Sequence, residues 1–264
     1  MPRKIIIHAG FHKTGTSSVQ QVLRANRPLL QPELAMRLKG QMQDLMHATR
    51  GYSTWRDDLT LVKAASRFGA VLDDLVAMPK RALLLSAEEF SGHMPGRGDL
   101  ADYSAAPILL SRYCDEITAR FPNIEQVIYF STRAPESWLQ SAYWEHVKSS
   151  SMTLDYDTFA TTYEKAAELE PIVKAVRKQV NVAVHHTALE DCRDLRLGPA
   201  DPVFDLCDIS PSLREKIVPQ PIHNERLDKT VLLALLEANR AYADYYERKA
   251  AKQIILAEAQ KHDR

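Results

Sequence analysis

A nine-residue segment near the start of the chain combines glycines, hydroxyls and a cation in a spacing that suits phosphate binding. It reads GFHKTGTSS, spans residues 10–18 and directly follows a short apolar run. Gly10 and Gly15 have the spacing of the two glycines in the nucleotide-binding pattern GxxxxGK[ST]. Thr16 replaces the lysine of that pattern, and Lys13 supplies a cation from inside the loop instead. A strand, a glycine loop and a helix in this order direct backbone N–H groups and the positive end of the helix dipole at an anion.

Hydroxyl side chains surround the predicted helix start, where they can contact phosphate oxygens or cap the helix. They are Thr14, Thr16, Ser17 and Ser18. An ordinary capped helix after a strand is the simpler interpretation, but it does not account for the coincidence of two glycines, a lysine and four hydroxyls. The nearby His8 and His12 are interpreted as positional residues rather than catalytic ones.

A second segment, STRAPESWLQSAYWE over residues 131–145, carries a possible phosphate ligand from another strand. Arg133 lies at the predicted strand end before Pro135, and Ser141 lies eight residues later in the following helix. The carboxyl ends of parallel strands share one edge of a sheet, so Arg133 is expected near the phosphate loop. Arginine is the side chain suited to bidentate recognition of phosphate. Without the loop, a surface ion pair would be the simpler interpretation of this arginine.

Together the two segments resemble the sulfotransferase family that uses 3′-phosphoadenosine 5′-phosphosulfate (PAPS). The 5′-phosphosulfate loop of that family reads approximately K-[ST]-G-T-[ST], which matches residues 13–17 here. Its 3′-phosphate site uses an arginine and a serine eight residues apart, which Arg133 and Ser141 match. The resemblance implies PAPS as cofactor, Lys13 as the residue that neutralises charge on the bridging oxygen, and Thr14 to Ser18 as further loop contacts.

The chain departs from the family pattern in two places. Ser18 and Val19 stand where cytosolic members often have a tryptophan that stacks on adenine. The basic, glycine-containing segment that completes the 3′-phosphate site in those members is not found; the segment IHNERLDK, residues 222–229, is a candidate source of cations.

Two carboxylates follow another apolar run, ALLLSAEEFSG, and could act as a base. Glu88 and Glu89 are expected at the same sheet edge as the phosphate loop. Similar sulfotransferases have a histidine or glutamate base near this position, and Glu88 is the better match in register. A base is needed because the acceptor hydroxyl must lose its proton as it attacks sulfur. The scheme requires no metal.

The same residues admit two other functions. An apolar strand that ends in acidic residues also resembles the magnesium-binding strand of P-loop kinases and NTPases, although the GK[ST] sequence is absent. A non-catalytic nucleotide-binding protein is the third possibility, and it would bind cofactor without turnover.

The elements that must position these residues alternate between short apolar runs and helical periods. Strands are predicted over residues 4–9, 81–86, 125–132 and 180–185. Apolar spacing predicts helices over residues 16–26, 59–78, 107–121, 135–148, 156–167, 171–179 and 227–259. Residues 31–54 show no clear period and are expected to form a flexible cover or broken helices, and residues 91–103 a loop.

Buried strands separated by helices indicate an α/β fold, with a parallel sheet flanked by helices in three layers. We predict one domain over residues 1–264 with irregular insertions near 27–57 and 90–107. By resemblance this is the P-loop-like sulfotransferase architecture. Residues 31–55 and 90–107 are expected to shape the acceptor pocket, but they do not say whether the acceptor is a carbohydrate, a lipid or a small metabolite.

The composition of the chain limits the classes of binding partner and the cellular compartment that we expect. Thirty-four basic and 34 acidic residues give a formal net charge of zero, which argues against nucleic acid or an anionic membrane as a general partner. Three scattered cysteines, Cys114, Cys192 and Cys207, predict neither a disulfide framework nor a zinc site. The first apolar stretch, Ile5 to Ile7, is too short for a signal peptide or a membrane span. The expected location is therefore cytoplasmic.

Overall fold

Five short strands form one parallel sheet at the centre of the protein. The computed structural model describes residues 1–75, 81–221 and 228–262. The strands are β1 (Lys4–His8), β2 (Leu34–Leu38), β3 (Ala82–Ser86), β4 (Glu125–Thr132) and β5 (Ala183–Ala188). They lie in the order β2-β3-β1-β4-β5, and every neighbouring pair is parallel. The strands therefore all end at one edge of the sheet.

Helices connect the strands and cover the sheet. In chain order they are α1 (Thr16–Ala25), α2 (Arg27–Leu30), α3 (Gln43–Trp55), α4 (Asp58–Asp73), α5 (Ala106–Arg120), α6 (Pro135–Ser149), α7 (Tyr156–Ala167), α8 (Leu169–Gln179), α9 (Asp201–Leu206), α10 (Pro211–Arg214), α11 (Lys229–Ala241) and α12 (Tyr245–His262). Short 3₁₀ turns follow β2, β3 and β5 directly.

The alternation of side chains along the strands separates two hydrophobic cores. In β1, Ile5 and Ile7 belong to the core that also includes residues of α3, α4, α5 and α6. Ile6 belongs to the opposite core, with residues of α1 and α9. Successive strand residues point to opposite faces, so an apolar residue at each position gives helices something to cover on both sides. The fold is thus α/β with a parallel sheet flanked by helices, as predicted.

The first of the two predicted insertions, near residues 27–57, has more regular secondary structure than expected. It contains the edge strand β2, which pairs with β3, and the helix α3, whose residues Leu45, Met46 and Tyr52 are buried in the core. The prediction of a flexible cover or broken helices over residues 31–54 is therefore wrong. Alanine, methionine and leucine favour helices, so strand formation in β2 reflects pairing with β3 rather than local propensity.

The prediction of one long helix over residues 227–259 is also wrong, because α11 ends at Ala241 and α12 begins at Tyr245. The Asp244 carboxylate accepts hydrogen bonds from two N–H groups of the first turn of α12, at 2.8 and 3.0 Å. This aspartate acts as a helix cap and starts the second helix afresh. Residue 227 lies outside the described residues.

Other boundaries differ by a few residues. Helix α4 ends at Asp73 rather than 78, and residues 76–78 of that prediction lie outside the described residues. The fourth predicted strand begins at Ala183 instead of 180 and forms the edge strand β5, whose side chains are partly exposed rather than buried.

Candidate functional site

The loop after β1 folds into a tight turn in which two positions accept only glycine. A Cβ atom on Gly10 would lie 2.6 Å from Thr16 Oγ1, which is closer than atoms can approach. Gly15 has φ of 93° and precedes the first residue of α1, and a Cβ atom there would lie 2.8 Å from Leu189. Glycine adopts positive φ without the steric cost that other residues incur. The first N–H groups of α1 have no partner within the helix and lie beside the cavity that Gly15, Thr16 and Ser17 line.

The loop hydroxyls do not all face that cavity. Thr14 is buried, and its hydroxyl donates to the carbonyl oxygen of Phe11 at 2.6 Å, which closes the turn. Thr16 lines the cavity and Ser17 is exposed beside it. Ser18 is not among the cavity residues. Of the four predicted hydroxyl contacts, the structure therefore places two at the cavity, and Thr14 supports the loop instead.

Lys13 reaches across the cavity to helix α6. Its Nζ lies 3.1 Å from Oε2 of Glu145, and Lys148 approaches the same carboxylate at 3.7 Å. Burial alone would raise the pKa of Glu145, but the two lysines lower it to about 2. The carboxylate is therefore ionised at neutral pH and holds the lysine that the sequence assigned to the phosphosulfate.

Arg133 connects the end of β4 to the glycine loop of residues 10–18, as the shared sheet edge predicts. Its Nη1 donates to the carbonyl oxygen of Lys13 at 3.0 Å, and its Nε donates to the Ser137 hydroxyl at 3.0 Å. The Ser137 hydroxyl in turn donates to Glu190, which follows β5, at 2.9 Å. Arg133 and Ser141 both line the same cavity as Lys13. The structure thus brings together the two segments that the sequence singled out.

One face of α6 forms a wall of the cavity. Ser141, Trp144, Glu145 and Lys148 all line it, at spacings of three, four and seven residues from the first. These spacings place side chains on one side of a helix. The sequence motif includes only Ser141 of these four, although helical periodicity alone predicts the other three once that serine is placed in the site.

The acidic pair after β3 lies in a 3₁₀ turn and is neutralised by one cation that directly follows β2 and one on α3. Lys39 Nζ lies 2.6 Å from Glu89 and 3.2 Å from Glu88, and Arg50 lies 3.6 Å from Glu89. Both glutamates line the cavity. Lys39 and Arg50 were not anticipated, because the strand that carries Lys39 to the sheet edge was not recognised.

The two glutamates differ in burial. The Glu89 side chain is 2% exposed, against 15% for Glu88. One Glu89 oxygen, Oε2, is buried with no hydrogen-bond partner among the described residues. Burial and the neighbouring charge of Glu88 raise the pKa of Glu89, while Lys39 opposes the shift. Glu88 is therefore the more accessible carboxylate, and Glu89 is the one anchored in the protein.

The histidines beside the loop hold strands and loops in place. His8 is fully buried, and its two ring nitrogens lie 2.9 Å from the hydroxyls of Ser86 on β3 and Ser131 on β4. Burial lowers the pKa of His8 to about 4, so the ring is neutral. His12 lines the cavity, and its Nδ1 lies 3.2 Å from the Tyr103 hydroxyl. These contacts hold His8 between two strands and His12 beside Tyr103.

The cavity lies at the carboxyl edge of the sheet and has a volume of about 630 Å³. Besides the residues already described, it is lined by His93, Met94 and Arg97 from the loop before α5 and by Leu189 after β5. The volume is within the range of sites that hold a cofactor or small ligand. The predicted acceptor segments, residues 31–55 and 90–107, both contribute lining residues.

Metal and membrane features were sought in the part of the chain that the structure describes. There, no three His, Cys, Asp or Glu side chains come together as a possible metal site. No described helix combines the length and apolar character needed to cross a membrane. The candidate 3′-phosphate segment, residues 222–229, falls largely outside the described residues. The sequence matches none of the known family models with which it was compared and no curated protein.

Proposed function

We propose that the protein is a PAPS-dependent sulfotransferase that transfers a sulfuryl group to a hydroxyl or amine of an acceptor. One observation carries the proposal: Lys13, Arg133 and Ser141 line one cavity, and the Arg133 guanidinium is bonded to the carbonyl oxygen of Lys13. An arginine and a serine at a fixed distance from a phosphate loop suit a nucleotide with two separate phosphate positions. PAPS has such positions at its 5′ and 3′ oxygens.

The residues present fit this cofactor. The glycine loop and the start of α1 offer backbone donors for the 5′ side, because side chains at Gly10 and Gly15 would obstruct the turn. Lys13 supplies a cation there, and Arg133 with Ser141 supplies charged and neutral donors for a 3′-phosphate. Trp144, in the same cavity wall, is a candidate for stacking on adenine in place of the tryptophan that the loop lacks.

PAPS supplies an activated sulfuryl group: the acceptor oxygen forms a bond to sulfur while the bond from sulfur to the 5′-phosphate oxygen breaks. In this scheme Lys13 leaves Glu145 and neutralises charge on the departing oxygen, helped by the loop N–H groups. Glu88 takes the acceptor proton, and Lys39 at 3.2 Å keeps that carboxylate in place.

The cations around the acidic pair argue against the kinase alternative. A magnesium site in such an enzyme needs free carboxylate oxygens after the acidic strand. Here Lys39 contacts both Glu88 and Glu89, and Arg50 adds a second cation near Glu89. Two cations in these positions repel a divalent metal. The arrangement suits a reaction without metal better.

Calorimetric titration of the protein with adenosine 3′,5′-bisphosphate and with ATP–magnesium tests the proposal. We expect the bisphosphate to bind at least about tenfold more tightly, because only it carries a 3′-phosphate for Arg133. Lys13→Ala should leave the melting temperature nearly unchanged and reduce sulfate transfer by about 10²-fold or more. The exposed Lys63→Ala is the matched control. Preferential binding of ATP–magnesium would refute the proposal.

A further inference from the structure

The cavity is unusually polar for an enzyme that would accept an apolar alcohol. Among the described residues that line it, Met94, Trp144 and Leu189 have largely apolar side chains, whereas most of the others carry charges or hydrogen-bonding groups. An apolar acceptor would have to desolvate these groups without replacing their hydrogen bonds, which is costly. The lining therefore favours an acceptor rich in hydroxyls.

The order of the strands in the sheet divides the cavity into two halves, one on each side of β1. Arg133 after β4 and Leu189 after β5 lie on one side of the central strand β1, and they belong to the proposed nucleotide half. Glu88 after β3 and Lys39 after β2 lie on the other side. The acceptor must approach Glu88 in this second half, and the loop that follows the two glutamates brings Arg97 into the same cavity.

Arg97, on the loop that follows the Glu88–Glu89 turn, is a cation at the end of α6 whose described partners are neutral. Its guanidinium donates to the carbonyl oxygen of Ser149 at 3.2 Å and to the hydroxyl of the same residue. No carboxylate of the described residues lies within ion-pair distance of it. Burial lowers the pKa of Arg97, and only the more distant Glu145 opposes this. An anionic ligand would stabilise a half-buried guanidinium that has only neutral partners.

A second, basic cavity continues from this point. It measures about 450 Å³ and shares Lys148 with the first cavity; Ser149, the partner of Arg97, also lines it. Helix α12 contributes Arg248, Lys249 and Lys252, and the described lining contains no carboxylate. Lys252 donates to the carbonyl oxygens of Val147 on α6 and of Ser150 just after it. Arg248 donates to two carbonyl oxygens before α12, whereas Lys249 is exposed over the Tyr245 ring.

We propose that the acceptor is an acidic saccharide, a hydroxyl-rich molecule that bears carboxylate or sulfate groups. Its reacting hydroxyl lies at Glu88, an anionic group binds Arg97, and the rest of the chain passes Lys148 into the basic cavity. The proposal rests on the proposed sulfotransferase function, because Glu88 and the sheet order define the acceptor half. An acidic saccharide would bind Arg97 and Lys249, two cations that the nucleotide would not contact.

The test compares two tetrasaccharides of equal length, titrated into protein saturated with adenosine 3′,5′-bisphosphate. One alternates glucuronic acid with N-acetylglucosamine, and the other is neutral chitotetraose. We expect the acidic one to bind at least about tenfold more tightly, and Arg97→Ala to weaken it by about 10- to 100-fold, the range of a charge-assisted hydrogen bond. Lys249→Ala should weaken it by about threefold, in line with an exposed charge pair. The exposed Arg112→Ala serves as the control.

Each outcome bears on a different proposal. If the bisphosphate does not bind, the sulfotransferase function fails, and this inference fails with it. If the bisphosphate binds but the acidic tetrasaccharide does not bind, or binds no better than chitotetraose, only the acceptor class is wrong. An unchanged affinity of both Arg97→Ala and Lys249→Ala for the acidic tetrasaccharide would also overturn it. The exposed Lys249 keeps the test valid if Arg97→Ala does not fold.

Discussion

The two halves of the cavity are built by different means. In the proposed nucleotide half, a loop contiguous in sequence supplies backbone donors and Lys13, and Arg133 and Glu145 connect it to β4 and α6. In the proposed acceptor half, Lys39 and Arg50 come from distant segments and neutralise the acidic pair after β3. Local backbone geometry thus defines the loop of the first half, whereas the second half depends on long-range ion pairs throughout. The nucleotide half has the simpler sequence signature for this reason.

Substituting each member of the acidic pair gives the largest effect and separates catalysis from structure. Glu88→Gln is expected to lower sulfate transfer by about 10²- to 10⁴-fold, the typical cost of losing a general base, with little change in melting temperature. Glu89→Gln should instead lower the melting temperature, because it leaves Lys39 and Arg50 without their buried partner. Transfer of radiolabelled sulfate from PAPS to a panel of saccharides, together with thermal melts, measures both.

A reversed pattern would exchange the two roles. If Glu89→Gln abolished transfer and Glu88→Gln did not, the base would be one residue later. If neither affected the rate, His12 or His93, which both line the cavity, would be the next candidate.

Removal of the Arg133 side chain should weaken the binding of only one of the two phosphates of the nucleotide. Arg133→Ala is expected to weaken adenosine 3′,5′-bisphosphate by about 10- to 100-fold and to change adenosine 5′-phosphate little, because a charge-assisted hydrogen bond contributes about 1.5–3 kcal/mol. Ser141→Ala should act in the same direction but less. Calorimetric titration of both nucleotides is the measurement. Equal losses for the two would mean that Arg133 acts through the Lys13 carbonyl on the loop instead.

Acid should destabilise the wall between α6 and the loop that carries Arg97. His146 on α6 is buried, its Nε2 contacts the Pro95 carbonyl oxygen at 2.7 Å, and burial lowers its pKa from 6.5 to about 4. The unfolded chain takes up a proton below pH 6.5 that the folded chain refuses until about pH 4, so stability falls as the pH drops through this interval.

His146→Gln keeps a donor for the carbonyl but does not titrate. Between pH 7.5 and pH 5 its free energy of unfolding should fall by roughly 2 kcal/mol less than that of the wild type. Urea denaturation at both pH values measures the difference, with the exposed His47→Gln as control. An identical pH dependence in wild type and His146→Gln would show that this histidine is not the acid-sensitive element.

The smallest expected effect concerns the carboxylate that holds Lys13. Glu145→Gln removes a negative charge from a cavity proposed to bind an anion and releases the lysine at 3.1 Å. We expect adenosine 3′,5′-bisphosphate to bind about three- to tenfold more tightly, as for loss of one nearby like charge. Weaker binding in the same titration would mean that Glu145 orients Lys13 for the cofactor rather than competing with it.

Much of the sheet and its helices could be predicted from short apolar runs. Strands β1, β3 and β4 were predicted to within about a residue, since residues buried on both faces of a sheet leave a continuous apolar signal. The edge strand β2 was missed, because its five residues are good helix formers and only pairing with β3 selects the extended state. In the site, Lys13, Arg133 and Ser141 were found by their motifs, whereas Arg50, Arg97 and Glu145 lie in no motif.

The amino-acid sequence by itself determined the glycine loop after β1, because Gly10 and Gly15 permit a backbone turn that the Thr14 hydroxyl closes on the Phe11 carbonyl oxygen. It also determined that Arg133 would leave a buried strand at the same edge. Only the tertiary structure decided that Glu145 holds Lys13 and that Lys39 joins the two glutamates. Ion pairs of this kind depend on where separate segments are packed, since a charge has no preferred partner until the fold places one within a few ångströms of it.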